Sequence, residues 1–267
     1  MKCLGKNALA TGILLGALLL QPMGGPSLQA EKISFKDLVI GRLYHKDGGT
    51  GTCFPFERIL KTTPGQITPK IRDRVRLLTA RHVVRRVDYV KEGEKRVAKD
   101  VLSASRLQLF RCEKLVFETT DIEIVAESKD YDCVVLEIKV KQEVDIPLLA
   151  LSNTSPEVGT RCFSFGCQAG LVPTFTHGYV CRPAGDTFKR HKESWITSAN
   201  VFGGASGGPV ISRYSGKVIG ITCAHAQALG GSSAFGPISI PITHVHLFID
   251  ASKIRNWLTQ ARGTKND

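Results

Sequence analysis

The sequence has no Cys-X-X-Cys pair, which sets aside a zinc knuckle and a dithiol redox centre. It is short of acid: 24 Asp and Glu stand against 36 Lys and Arg, a formal net charge of +12. That excess suits contact with acidic substrates, anionic lipid or other polyanions, and equally a plain solvated surface, since charge alone names no partner. No nucleic-acid reading module accompanies the basic residues, so nucleic acid is not an expected partner. Long apolar runs are scarce as well. Residues 8–20 form one, shorter than a comfortable membrane span, and no second run of spanning length follows, so the remainder is expected to be soluble.

What is present begins with a leader. A short basic region from Met1 to Lys6 precedes that apolar run, and a polar tail with Pro and Gly ends in Leu28-Gln29-Ala30. This three-part layout predicts a secretory signal peptide over 1–30, cut after Ala30, and hence a secreted or periplasmic protein; an uncleaved membrane anchor is the alternative. With 42% hydrophobic content over 267 residues, the chain is long enough to bury a sizeable core. Its eight cysteines fall to seven without Cys3, and an odd count leaves a free thiol or an intermolecular bond. Cys133 and Cys223 lie in apolar strand patterns and read as inert core residues. Cys162 and Cys181 flank a strand-loop-strand unit, where an oxidising compartment would permit a disulfide.

Beyond the leader the pattern is of short strands. Runs rich in β-branched and apolar residues recur at 38–44, 74–78, 107–111, 122–125, 133–140, 161–165, 178–181, 195–198, 209–212, 218–224 and 236–240, with Gly, Pro, Asn and Ser between them. Regularly spaced strands of this kind indicate an all-β sandwich or barrel. They divide evenly about Leu151-Ser152-Asn153-Thr154-Ser155-Pro156, which suggests two similar six-stranded antiparallel barrels, over 35–150 and 155–242, within one domain at 31–267. Val245, Phe248, Ile249, Ile254, Trp257 and Leu258 have helical spacing and predict a closing helix over 243–260.

One stretch carries chemistry. Asn200-Val201-Phe202-Gly203-Gly204-Ala205-Ser206-Gly207-Gly208-Pro209-Val210 surrounds a serine with four glycines just before a strand. Such a turn can present the Ser206 hydroxyl outward and aim the Gly204 and Ser206 amides at one point, as acyl transfer requires of an oxyanion hole. A hydroxyl is a poor nucleophile near neutral pH and needs a base, itself held by a third group. His82 ends the apolar run of Thr79-Ala80-Arg81-His82, and Asp132 opens that of Asp132-Cys133-Val134-Val135-Leu136. Asp130 is the rival for the orienting acid.

With these motifs in this order, the chain resembles the chymotrypsin-like serine proteases, and most closely the protease domain of the HtrA/Deg family. There Thr-Ala-X-His, Asp-X-X-Val-Leu and Gly-X-Ser-Gly-Gly-Pro recur in the same succession, and the resemblance runs over about residues 35–260. It implies His82 as general base, Asp132 as orienting acid and Ser206 as nucleophile, with Gly204 and Ser206 forming the oxyanion hole and no cofactor or metal needed. Polypeptides are the implied substrates. By the same resemblance the substrate pocket lies at Asn200 and Val201, with Cys223 and Gly236 on its walls and His225 along the bound peptide. No acid falls among these, so an uncharged side chain is expected beside the scissile bond. Position 205 is Ala, where digestive and clotting proteases have an Asp that pairs with a newly cut N-terminus and HtrA/Deg members often have Asn. The loop must therefore be ordered by other means. No PDZ domain is expected after the helix. His244 and His246 read as solvated residues at the helix start. The competing reading for the whole chain is a catalytically silent binding protein on a protease fold.

Overall fold

The segment Cys133–Val140 builds two cores from one alternation, because successive side chains leave opposite faces of a strand. Val134, Leu136, Ile138 and Val140 join a core with Val75, Leu77, Leu107 and Leu109. Cys133 and Val135 join a second, with Phe54, Leu78, Ile221 and Ile249. The second core glues the two halves of the molecule together, and the mouth of this strand lies on the seam. The computed structural model describes residues 35–61, 72–92, 95–128, 130–140, 144–185, 193–233 and 236–263. The expected leader, 1–30, lies outside the described residues.

The N-terminal half contains β1 (Val39–His45), β2 (Thr50–Lys61), β3 (Arg72–Thr79), a one-turn helix α1 (Arg81–Val84), β4 (Arg85–Glu92), β5 (Lys95–Leu102), β6 (Ala104–Arg111), β7 (Lys114–Thr119), β8 (Ile122–Ser128) and β9 (Cys133–Val140). Strands β4 and β5 pair with each other as a separate two-stranded antiparallel sheet. The others make one antiparallel sheet in the order β7-β6-β1-β2-β3-β9-β8. The expected first six-stranded barrel therefore appears as a seven-stranded sheet. Strand β7 takes the hydrogen-bonding edge of β6, so β8 ends the sheet rather than closing it.

Residues 144–160 cross between the halves and are stitched to both. Leu149 N–H donates to Pro55 O of β2, and Val218 N–H donates to Ala150 O. The C-terminal half is a closed six-stranded barrel of β10 (Arg161–Gly166), β11 (Thr174–Pro183), β12 (Ser194–Thr197), β13 (Pro209–Ser212), β14 (Val218–Ser233) and β15 (Gly236–Asp250), in the order β10-β11-β12-β15-β14-β13.

The final helix, α2, spans Ala251–Gly263, not 243–260. Residues 243–250 instead complete β15, where Leu247, Phe248 and Ile249 pair with Ala224, Thr222 and Ile221. Val245, Leu247 and Ile249 also alternate with the period of a strand, so the spacing fits either element, and barrel pairing claimed the segment for a strand. The helix starts where Asp250 supplies a cap: its Oδ1 accepts from Ser252 N–H and Oγ, both at 2.8 Å. Ala251, Ile254 and Leu258 then recur on one face and bury against the seam. Each large apolar side chain so buried contributes about 1.5–3 kcal/mol.

The described cysteines are all free thiols. Cys162 pairs across the β10–β11 ladder with Gly178, so Cys181, an odd number of residues further on, falls on the other face. Cys162 is buried beside Thr197 and Cys181 is exposed, which is why the disulfide allowed by their spacing does not form.

Candidate active site

Strand β3 ends at Thr79, extended Ala80 turns the chain, and α1 begins. Val83 and Val84 are buried and anchor that single turn, which leaves His82 facing outward with 47% of its side chain exposed. Asp132 stands at the foot of β9 and holds His82 at two points. Its Oδ1 accepts from the His82 backbone N–H at 2.9 Å, and its Oδ2 faces Nδ1 at 2.5 Å. Gripping the backbone as well as the ring fixes both position and orientation of the imidazole. Asp130 is exposed, and the carboxylate against His82 is that of Asp132.

The same β8–β9 hairpin carries Glu127, whose carboxylate accepts from Arg81 Nε at 2.5 Å and from Arg85 Nη2 at 3.0 Å. These arginines flank His82, so one hairpin steadies the helical turn and supplies the acid. His45 lies nearby, its pKa lowered by burial and by its neighbours His82 and Arg86, while Asp47 and the Val83 backbone oppose the shift.

The Ser206 loop joins β12 to β13 and is pinned mainly through its backbone. Thr52 N–H of β2 donates to Ser206 O at 2.8 Å, and Gly207 N–H donates to Thr222 O of β14 at 2.7 Å. Gly207 packs so closely that a β-carbon there would lie 2.9 Å from Ala80 N, two residues before His82. Ser206 itself is half-buried. Among the described residues, the Gly204 and Ser206 amides donate to no group of the chain. Ala205 is buried against Gly166, with no charge to pair.

Asn200 is exposed and its carbonyl accepts from Thr176 Oγ1 at 2.5 Å. Val201 is buried, and its N–H donates to His246 Nε2 at 3.3 Å. Cys223 is buried beside Ser194. His225 pairs across the ladder with His246. Gly236 opens β15 opposite Ser233, ten residues before His246, which is roughly 30 Å of extended strand. Strand β15 therefore brings His246, not Gly236, to Val201. His244 and His246 lie in this strand rather than at a helix start, and His246 is buried.

Buried cysteines offer no rival nucleophile. Burial pushes the Cys167 thiol up to about 12 and those of Cys53 and Cys133 well above the ordinary range, so each stays protonated at neutral pH. Among the described residues no His, Cys, Asp and Glu group could hold a metal ion. Sequence reasoning passed over Thr52, Gln168 and Glu127, and took His246 for a solvated residue at a helix start. Their contacts join elements far apart in the chain, which no contiguous motif expresses.

Solved structures with this fold include the HtrA-type protease AlgW with a tripeptide, at 18% identity and a TM-score of 0.55 over 85% of this chain and 60% of that one. The Rv3671c protease of M. tuberculosis in its inactive form gives 17% and 0.52 over 88% and 94% of the two chains. The serine endoprotease of Yersinia pestis gives 14% and 0.52 over 85% and 63%. The chain thus spans about three fifths of the length of AlgW and of the Yersinia enzyme. Curated protein sequences yield no significant match. Residues 65–221, more than half of the 267 and containing His82, Asp132 and Ser206, match a sequence family described as the trypsin-like peptidase domain, and the chain belongs to that family.

Proposed function

We propose that this protein is an exported serine endopeptidase that cuts polypeptides through an acyl-enzyme on Ser206. The observation that carries the reading is the two-point hold of Asp132 on His82. With Nδ1–H directed at the carboxylate, Nε2 is left with its lone pair and serves as general base. His82 takes the Ser206 proton as Oγ attacks the scissile carbonyl, and returns it to the leaving amine as the tetrahedral intermediate collapses. Water then enters by the same route and frees the acid product. The Gly204 and Ser206 amides receive the oxyanion, and their lack of partners within the described chain supports that role. Asp132 keeps the tautomer and balances the imidazolium without taking a proton itself.

The cleft lies between the C-terminal barrel and the N-terminal sheet, which we read as the counterpart of a first barrel, with β8 approaching β6 on its open side. Asn200, Val201, Cys223 and His225 remain the proposed substrate contacts, with His246 in the place expected of Gly236. His246 beside Val201 adds no fixed charge while its Nε2 accepts a hydrogen bond, consistent with an uncharged side chain in the pocket. The leader at 1–30 supports export, with cleavage after Ala30.

The test is a fluorophosphonate probe on the mature protein. Ser206 should be labelled, and Ser206→Ala should take no label. Ser212 is buried and Ser198 already accepts from Tyr179 N–H, so neither should react. Label persisting in Ser206→Ala would refute the nucleophile, and an intact but unreactive wild type would favour the silent binding protein.

A further inference from the structure

Gly204 and Ser206 can receive an oxyanion only if three consecutive peptide planes hold their direction, because in a planar trans peptide the N–H points opposite to the C=O. The plane between Gly203 and Gly204 is held by Ala169 N–H, which donates to Gly203 O at 2.7 Å. The plane between Ala205 and Ser206 is held by Gly208 N–H, which donates to Ala205 O at 2.9 Å. The plane between them presents Gly204 O, and its partner comes from the other half of the molecule: Thr52 Oγ1 donates to it at 2.6 Å.

We propose that Thr52 is a positioning residue that locks the oxyanion loop, doing the ordering work for which position 205 offers no charged group. The inference rests on the protease reading of the same site. Thr52 is fully buried, and its hydroxyl is committed on both sides, since Cys167 N–H donates to it at 2.8 Å. A hydroxyl has one proton, so accepting from Cys167 leaves that proton for Gly204 O. Its backbone is tied as well. Thr52 N–H donates to Ser206 O at 2.8 Å, and Thr79 Oγ1 donates to Thr52 O at 2.7 Å. One β2 residue therefore grips the carbonyls on both sides of Ala205.

The turn behind the loop is itself braced from the N-terminal half. Gln168 Oε1 accepts from Phe202 N–H at 3.1 Å. Arg42 Nη1 donates to Gly170 O at 2.6 Å, and the guanidinium is steadied by Gln108 Oε1 and the Tyr44 and Phe110 rings. Within the loop the same plane is held at its other end, where Ala205 N–H donates to Phe202 O at 3.0 Å, but Gly204 has a φ of +94° and no β-carbon, so its backbone adds no steric resistance to a peptide flip. The hydroxyl adds the hold on the carbonyl end in a dry setting, where hydrogen bonds are strong and an orphaned carbonyl is costly.

The test compares wild type, Thr52→Val, Thr52→Ser and Thr52→Ala by hydrogen–deuterium exchange over 200–208 and by peptide turnover. Thr52→Val keeps the shape and removes the hydroxyl. It should speed exchange in this segment alone and cut kcat about 10–100-fold, somewhat less than deletion of an oxyanion donor outright, with KM changed less than about threefold. Thr52→Ser restores the hydroxyl and should recover both readouts. If Thr52→Val does not fold, Thr52→Ala takes its place, having room for water, and should show the same direction of change. Wild-type exchange and turnover in a folded Val or Ala variant would overturn the proposal. So would equal losses in Ser and Val, which would assign the effect to packing, or faster exchange with undiminished kcat. A wild type that turns over no peptide and takes no fluorophosphonate would refute the protease reading instead, and the exchange comparison would still decide whether the hydroxyl holds the loop.

Discussion

Replacing Gly207 with alanine should force the two halves apart at the site itself. Gly207 has a φ of +87°, a conformation that costs an L residue about 1–2 kcal/mol. Its new β-carbon would lie 2.9 Å from Ala80 N and closer still to Thr52 O and Thr79 Oγ1, all under the 3.0 Å that real β-carbons essentially never cross. Two of these three atoms are backbone, so no rotamer change relieves the contact, and overpacking of this kind costs about 1–3 kcal/mol. Together the two effects amount to about 2–5 kcal/mol, or a Tm lowered by roughly 4–20 °C at about 2–4 °C per kcal/mol. Gly159→Ala is the comparison, since Gly159 has a φ of +84° with nothing within 4 Å. It should show the conformational cost alone. Thermal melts by circular dichroism give the stability, and the rate of fluorophosphonate labelling at 20 °C gives the site. Labelling of Gly207→Ala should slow while the chain is still folded, because the atoms displaced belong to Thr52, whose N–H holds Ser206 O, and to the Thr79–Ala80 turn that leads into His82. Equal melting of the two alanine variants, with wild-type labelling in both, would refute the packing argument.

Two further outcomes follow from the geometry of His82 and its neighbours. Asp132→Asn should lower turnover by roughly ten-thousand-fold, the effect expected of a wrong tautomer, while Asp130→Asn should change it little; the reverse order in a peptide-cleavage assay would move the acid. His45 is held below the ordinary histidine range by burial, so as pH falls the unfolded chain binds a proton that the native chain refuses. Stability should be insensitive to this group above about pH 6.5 and fall below it, by at most about 1.4 kcal/mol per pH unit for one proton. Denaturant titrations from pH 7 to pH 5 should show His45→Gln losing less stability than wild type, and identical slopes would exclude the assignment.

The sequence by itself determined the features carried by neighbouring residues. The strands Cys133–Val140 and Pro209–Ser212 were legible to the residue, because alternation and flanking turn residues are local signals. The motifs around His82, Asp132 and Ser206 were legible because each is a contiguous run, and their order along the chain pointed to one family. Tertiary structure alone decided which runs became neighbours. Residues 243–250 have spacing compatible with a helix, yet pairing with β12 and β14 made them strand, and the cap at Asp250 moved the helix start to Ala251. The C-terminal barrel closed, while β7 occupied the edge of β6 and left the other sheet open in hydrogen bonding. Cys162 and Cys181 were separated by strand register, which a spacing in sequence does not express. Thr52 is 152 residues from Gly204, and His246 is 45 residues from Val201. Short-range periodicity reports the face a side chain occupies, but a hydrogen bond between distant strands depends on register and closure, which arise only when the whole sheet is assembled.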